Sequence, residues 1–477
     1  MRVSEFEYLL NYIALTLDTG NEEDGLGYWL AAMDESLEKS EFIEAQRLLQ
    51  TIRNITLSPM GFARVELARA NWFESRFENE KAVNSYRNAI KAFRRLGDKN
   101  SEALASNSLG LLFQKMSLNE QAIIHFRVAA RLYKRMQDHK SLGEVLSNIG
   151  IVADAQRDWL RAIPYYERAI QEFTRVGAKR ELAGALNNLG VANEMLEDLK
   201  RAEDAYQRCF ELLDEIGHAN TQSGWRIISN LALLYAKQND RDKSIRYHQL
   251  ALKVAIELGS DVSCALTLNN LGTLHEEIGD KRQAAYYYRE ALTYQREQGD
   301  RIIQAMLLNN LGSVLTDLDS IEDAKTCFDE SIVLCREAND LAGEARTLNN
   351  LAVLLEKKEQ LEHARRVYQQ AEVILESVGD VRREITTLIN IASVAWRNRD
   401  EENGRAAFRK AWRLAQGESF HNELAVLFQL RGDWSASFRH SRTLAKRWYQ
   451  KALEKCTEEI IKTGLQQRLN WLEQQEI

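Results

Sequence analysis

Thr347-Leu-Asn-Asn-Leu-Ala-Val-Leu354 decides the fold, because its central phrase returns as Leu186 to Gly190, Leu268 to Gly272 and Leu308 to Gly312. Taking the small residue that closes each phrase as a marker gives Ala70, Gly110, Gly150, Gly190, Ala232, Gly272, Gly312, Ala352 and Ala392. Their spacing is 40 residues, with one step of 42. A period of this size is the signature of stacked supersecondary units.

Fixed offsets from the marker repeat the same chemistry. Twelve residues on lie small residues such as Ala82, Ala162, Ala284 and Ala364, sixteen on lie rings such as Tyr86, Phe126, Tyr288 and Phe408, and nineteen on Ala89, Ala169, Ala291 and Ala411. This pattern resembles the tetratricopeptide repeat, over roughly residues 63–416. The usual Trp four before the Gly is replaced, for instance by Leu186 and Ile228, and the closing Pro is missing. The 40-residue length and the Leu-Asn-Asn-Leu phrase resemble the longer repeats of kinesin light chains and Leu-Gly-Asn spindle-orientation adaptors. The resemblance implies an all-α fold, a right-handed superhelical solenoid of antiparallel helix pairs, with a concave groove lined by the first helix (A) of each pair.

The composition agrees. Two prolines in 477 residues and no alternating β-branched run point to helices throughout. No apolar run reaches the roughly 18 residues that span a bilayer, and the N-terminus lacks an export pattern, so a cytoplasmic protein without membrane insertion is expected. Five cysteines with no Cys-x-x-Cys spacing fit buried thiols rather than disulfides or zinc. Residues 1–60 carry four basic and eleven acidic side chains, which accounts for the whole net charge of −7. The remaining chain is neutral, and nucleic acid is not an expected partner.

Three regions are expected: an N-terminal cap with a degenerate repeat over 1–62, about nine 40-residue units over 63–416, and an irregular last repeat with a capping helix over 417–477. In the first, Phe6, Leu9, Leu10, Ile13 and Leu17 share a helical face, and Asn21 to Gly27 read as an acidic break. Ala45, Leu49 and Ile52 stand at repeat offsets. Gly97, Gly177, Gly217, Gly259, Gly299, Asn339 and Gly379 mark left-handed helix ends, and Asp98, Asp138, Asp300, Asp340 and Asp380 supply N-caps. In the last region, Ala445, Tyr449 and Ala452 lie too late for a marker near Leu424-Ala425, which predicts an inserted loop over Asp433 to His440.

Asn recurs two residues before the marker, as Asn148, Asn188, Asn230, Asn270, Asn310, Asn350 and Asn390, on the helix face opposite the core. Asn187, Asn269, Asn309 and Asn349 precede four of them. Asn is a poor mid-helix residue, so the ladder needs a reason. Either its amides grip the backbone of an extended peptide, or they bond to the neighbouring helix A and set the unit spacing. On the peptide reading, Lys237, Glu277, Asp317, Lys357 and Arg397, five after the marker, select side chains.

A secondary patch joins Trp225, at a position that is small elsewhere, with Arg439, Arg442, Lys446, Arg447 and Trp448. Trp225 either splays two units or faces a partner, and the basic-aromatic segment 431–451 either grips an anion or pins a loop. No catalytic or cofactor motif is present, and His248 and His275 stand at packing offsets. The expected function is therefore a non-enzymatic adaptor holding a peptide or partner protein in the groove. The alternative is a regulatory sensor that changes superhelical pitch on binding.

Overall fold

The computed structural model describes residues 3–19, 21–53, 55–295, 299–416, 420–437 and 441–474. Among them are 24 α-helices and no strand. The chain forms two compact units, Met1–Asp240 and Arg241–Ile477. In the first, helix Val3–Asp18 precedes helix pairs from Glu22–Glu38 with Phe42–Thr51 to Lys179–Met195 with Leu199–Glu215, and Gln222–Lys237 follows. The second starts with Arg241–Glu257, continues in pairs from Asp261–Ile278 with Lys281–Thr293 to His421–Ser437 with Arg442–Lys455, and ends in Glu459–Gln474.

Each pair closes on the marker. A Cβ added at Gly110 would lie 2.6 Å from the Phe126 ring, and one at Gly190 2.4 Å from the Tyr206 ring. The marker must therefore be small because the ring sixteen residues later lies flat on it. The small residues twelve and nineteen on, Ala122 and Ala129 for example, are wholly buried in the same seam.

Both turns of the repeat are encoded locally. Asp98, Asp138, Asp300, Asp340 and Asp380 accept backbone N–H bonds at 2.8–3.2 Å at the starts of their helices. Gly97, Gly177, Gly217, Gly259, Gly379 and Asn339 are left-handed, as expected of helix ends. Gly299 is not among the left-handed residues. A second left-handed position, seven after the marker, has no Gly signal in most repeats: Phe77, Ser117, Arg157, Glu197, Asn239, Asp319, Glu359 and Arg399 have φ of 56–63°.

Four sequence expectations change. Asn21 to Gly27 is not a break, because Glu22, Glu23 and Asp24 form the first turn of Glu22–Glu38, where acids favour the helix dipole. The pair built on that helix keeps the repeat plan: Met33 takes the marker place, Ala45 and Ile52 are buried, and Ser40, seven after Met33, is left-handed. Trp29, four before Met33, donates its indole N–H to the Leu48 carbonyl at 2.6 Å.

The loop expected over Asp433 to His440 is helix as far as Ser437, and residues 438–440 lie outside the described residues. The true marker is Gly432, 40 residues after Ala392, since a Cβ there would meet the Tyr449 ring at 2.4 Å. Ala425 is wholly buried, at the small position seven before the marker. Ala445, Tyr449 and Ala452 follow Gly432 with one extra residue, so the turn is barely lengthened.

The fourth change is Gln295, whose polarity predicts an exposed side chain but which is 1% exposed. It lies 23 residues after its marker, where other repeats bury Phe93, Tyr133, Phe173 and Leu213. Lys281–Thr293 ends early at 13 residues. The Gln295 side-chain oxygen accepts from Asp300 N at 3.1 Å, and its backbone carbonyl from the Gln304 amide.

Candidate functional site

The Asn ladder is hydrogen-bonded from one helix A to the next. Asn148 Nδ2 donates to Asn107 Oδ1 at 3.3 Å, Asn230 Nδ2 to Asn187 Oδ1 at 3.1 Å, Asn310 Nδ2 to Asn269 Oδ1 and Asn350 Nδ2 to Asn309 Oδ1, both at 2.9 Å. In these four the pattern is the same: the Asn two before a marker donates to the residue three before the preceding marker. Within a helix, Asn187 donates to Asn188 and Asn309 to Asn310, each at 3.2 Å. The four amides Asn350, Asn309, Asn310 and Asn269 thus form one relay.

At the next step Thr387 takes the donor's part, giving its hydroxyl to Asn349 Oδ1 at 3.0 Å. Asn188, Asn270 and Asn390 donate no such bond among the described residues. All seven ladder residues are half-buried, and an amide has two donor hydrogens and two acceptor lone pairs, so the relay uses only part of their capacity.

The charged positions five after the marker are also tied into the scaffold. Lys237 pairs with Glu194, Asp317 with Lys281, Lys357 with Asp319 at 2.7 Å and the Thr316 carbonyl at 2.7 Å, and Arg397 with Glu356 at 2.5 Å. Glu277 is exposed.

Beneath them runs a rule the sequence reading missed. Glu74, Asp154, Glu194, Glu276 and Glu356, four after their markers, accept the phenol O–H of Tyr86, Tyr166, Tyr206, Tyr288 and Tyr368 at 2.6–3.1 Å. Where the ring is Phe126, His248, Phe328 or Phe408, the same place holds Gln114, Ala236, Thr316 or Trp396. A buried phenol needs a partner and a phenyl ring does not. The carboxylate therefore accompanies the tyrosine, a correlation visible in the sequence once the two offsets are compared.

The residues of the secondary patch fall in both units. Trp225 is half-buried on the first turn of Gln222–Lys237, and Gly224 supplies the buried small residue there. Trp448 packs on Phe428 and Phe408, with centroids 5.5 and 6.0 Å apart. The Arg431 guanidinium lies over Trp434, Trp396 and Phe408 at 4.3–5.7 Å. Arg442 and Arg447 are exposed and Lys446 half-buried, while Arg439 lies outside the described residues.

The two extra residues before Trp225 leave a cavity of about 170 Å³ lined by Arg180, Asn187, His218 and Arg226 among others. Glu372, Glu376 and Glu384 converge within 4.8 Å, but the Lys410 ammonium bonds all three, at 3.0 Å to Glu376 and 3.1 Å to Glu384. All five cysteines are free and four are buried. Burial pushes the Cys209 thiol up to about 12, which leaves it unreactive. His248, 1% exposed, is held down to about 4 by the same desolvation.

Among the described residues no helix is long and apolar enough to cross a membrane. No curated protein matches the sequence. In fold, the chain is similar to the apo form of RapI (TM-score 0.52, 12% identity, covering 70% of this chain and 99% of that one). It is also similar to the apo quorum sensor NprR of B. thuringiensis (0.50, 16%, covering 82% and 99%) and to aspartyl phosphate phosphatase F of Bacillus subtilis (0.50, 15%, covering 76% and 96%). A family model described as tetratricopeptide repeat matches residues 141–215, 226–297 and 303–377. Those segments are tetratricopeptide repeats, set in an all-α chain of stacked helix pairs.

Proposed function

We propose that the helix A surface is a non-catalytic docking face for an extended peptide or a peptide-like segment of a partner protein. The observation that carries this reading is the run of half-buried Asn amides with unspent hydrogen-bonding capacity. An extended chain advances about 3.3 Å per residue and neighbouring helices lie about 8–10 Å apart, so one amide meets about every third ligand residue. The 40-residue period and the Leu-Asn-Asn-Leu phrase support placing the chain beside the kinesin light chain and Leu-Gly-Asn adaptors.

Cross-helix bonding of Asn310 and Asn350 means that replacing them lowers stability as well as binding. Asn270 and Asn390, which make no cross-helix bond, separate the two effects. Changing both to Ala should weaken capture of a displayed library of extended peptides about tenfold, or 1.4 kcal/mol, with the melting temperature unchanged. Unaltered capture would refute the docking face. The sensor reading has a separate readout: scattering profiles recorded with and without a captured peptide superimpose for an adaptor and differ for a sensor.

A further inference from the structure

In three repeats the carboxylate four after the marker is doubly engaged. One oxygen accepts from the tyrosine of its own repeat, and the other takes a cation from the position five after the next marker. Glu74 binds Tyr86 through Oε2 and Lys115 through Oε1, the latter at 2.5 Å. Glu194 divides itself likewise between Tyr206 and Lys237, and Glu356 between Tyr368 and Arg397.

Asp154 breaks the series. Its Oδ2 accepts from Tyr166 at 2.6 Å, but Oδ1 is buried with no hydrogen-bond partner. At the cation's place stands Met195, 48% exposed. Glu276 is a different case, because the residue opposite it is Asp317, itself held by Lys281. A buried carboxylate oxygen left without a donor is costly, and burial holds the Asp154 carboxyl above its ordinary range.

We propose that Asp154 is a specificity site on the docking face, completed by the ammonium group of a lysine side chain carried by the bound peptide. This rests on the peptide-docking reading and adds to it the chemistry of one ligand residue. The chain itself shows the approach: Lys115 and Lys237 reach their carboxylates while remaining 68% and 53% exposed. A lysine entering beside the flexible Met195 side chain follows the same route, its stem lying on apolar surface and its head on the acid.

The test uses short extended peptides with blocked ends, in which each position in turn is lysine or the neutral, similarly long norleucine. The full-length chain should prefer lysine about tenfold at one position. Met195→Lys, which supplies the cation internally, should abolish that preference while other positions bind as before, and Asp154→Asn should do the same. Binding without any lysine preference, or a preference that survives Met195→Lys, overturns the assignment of Asp154 and leaves peptide docking intact. If no peptide binds the parent chain, the docking reading itself falls and the lysine site with it.

Discussion

The Gly190 repeat and the Gly312 repeat share a period, a marker and a ring stacked on that marker, yet they solve the interior differently. In the first, Tyr206 sends its hydroxyl to Glu194 at 2.9 Å, and Lys237 completes the carboxylate. In the second, Phe328 needs no acceptor and Thr316 satisfies itself on the Gly312 carbonyl at 2.8 Å. A single ring oxygen thus accompanies a carboxylate in the seam between helices. The repeats are interchangeable in outline and distinct in electrostatics.

The largest expected effect comes from the one ring position held by a histidine. His248 is neutral in the folded chain, with a value of about 4, whereas in the unfolded chain it protonates near 6.5. Between these values the unfolded state binds more protons, so stability falls as the pH drops from about 6.5 towards 4. The loss should be about 3 kcal/mol. Urea unfolding at both ends of the window should show it, and His248→Phe should remove this part of the slope. Equal slopes in the two proteins would mean that His248 escapes the burial described.

Next in size is an exchange between the two kinds of repeat. Phe328→Tyr places a phenol where no carboxylate waits and should cost about 1–3 kcal/mol. Thr316→Glu in the same chain should recover part of that, measured as a coupling in a double-mutant cycle. Additive losses would show that the pairing of acid and tyrosine is coincidental. The smallest effect belongs to the outer cation: Lys237→Met should change stability by less than about 1 kcal/mol and weaken the dependence of the melting temperature on salt.

The period, the markers and the Asp caps were legible because each rests on one narrow class of residue at one offset. Gly432 was equally regular in spacing, but Arg431 takes the usual Leu place and disguised it. That arginine is accommodated by Trp396, Phe408 and Trp434, which no spacing argument reveals. Gln295 could have been assigned to the core by aligning it with Phe93 and Leu213, whereas its polarity argued for the surface. The left-handed residues seven after the markers carry no consistent signal, since Arg157, Glu197 and Glu359 share that conformation with Asn239 and Gly279. The candidate site was legible as a set of residues but not as a network. Which amide donates to which depends on the stagger between adjacent helices, and a single helical wheel contains none of that.

The amide relay also has a polarity. From Asn350 through Asn309 and Asn310 to Asn269, both cross-helix bonds are donated toward the earlier repeat, and the link between them stays within one helix, so donors and acceptors alternate in one sense along the relay. The relay is therefore vectorial: its two ends are chemically unlike, one richer in acceptor character and the other in donor character. A peptide backbone, itself a row of aligned N–H and C=O groups, is not equivalent when laid along such a relay in opposite senses.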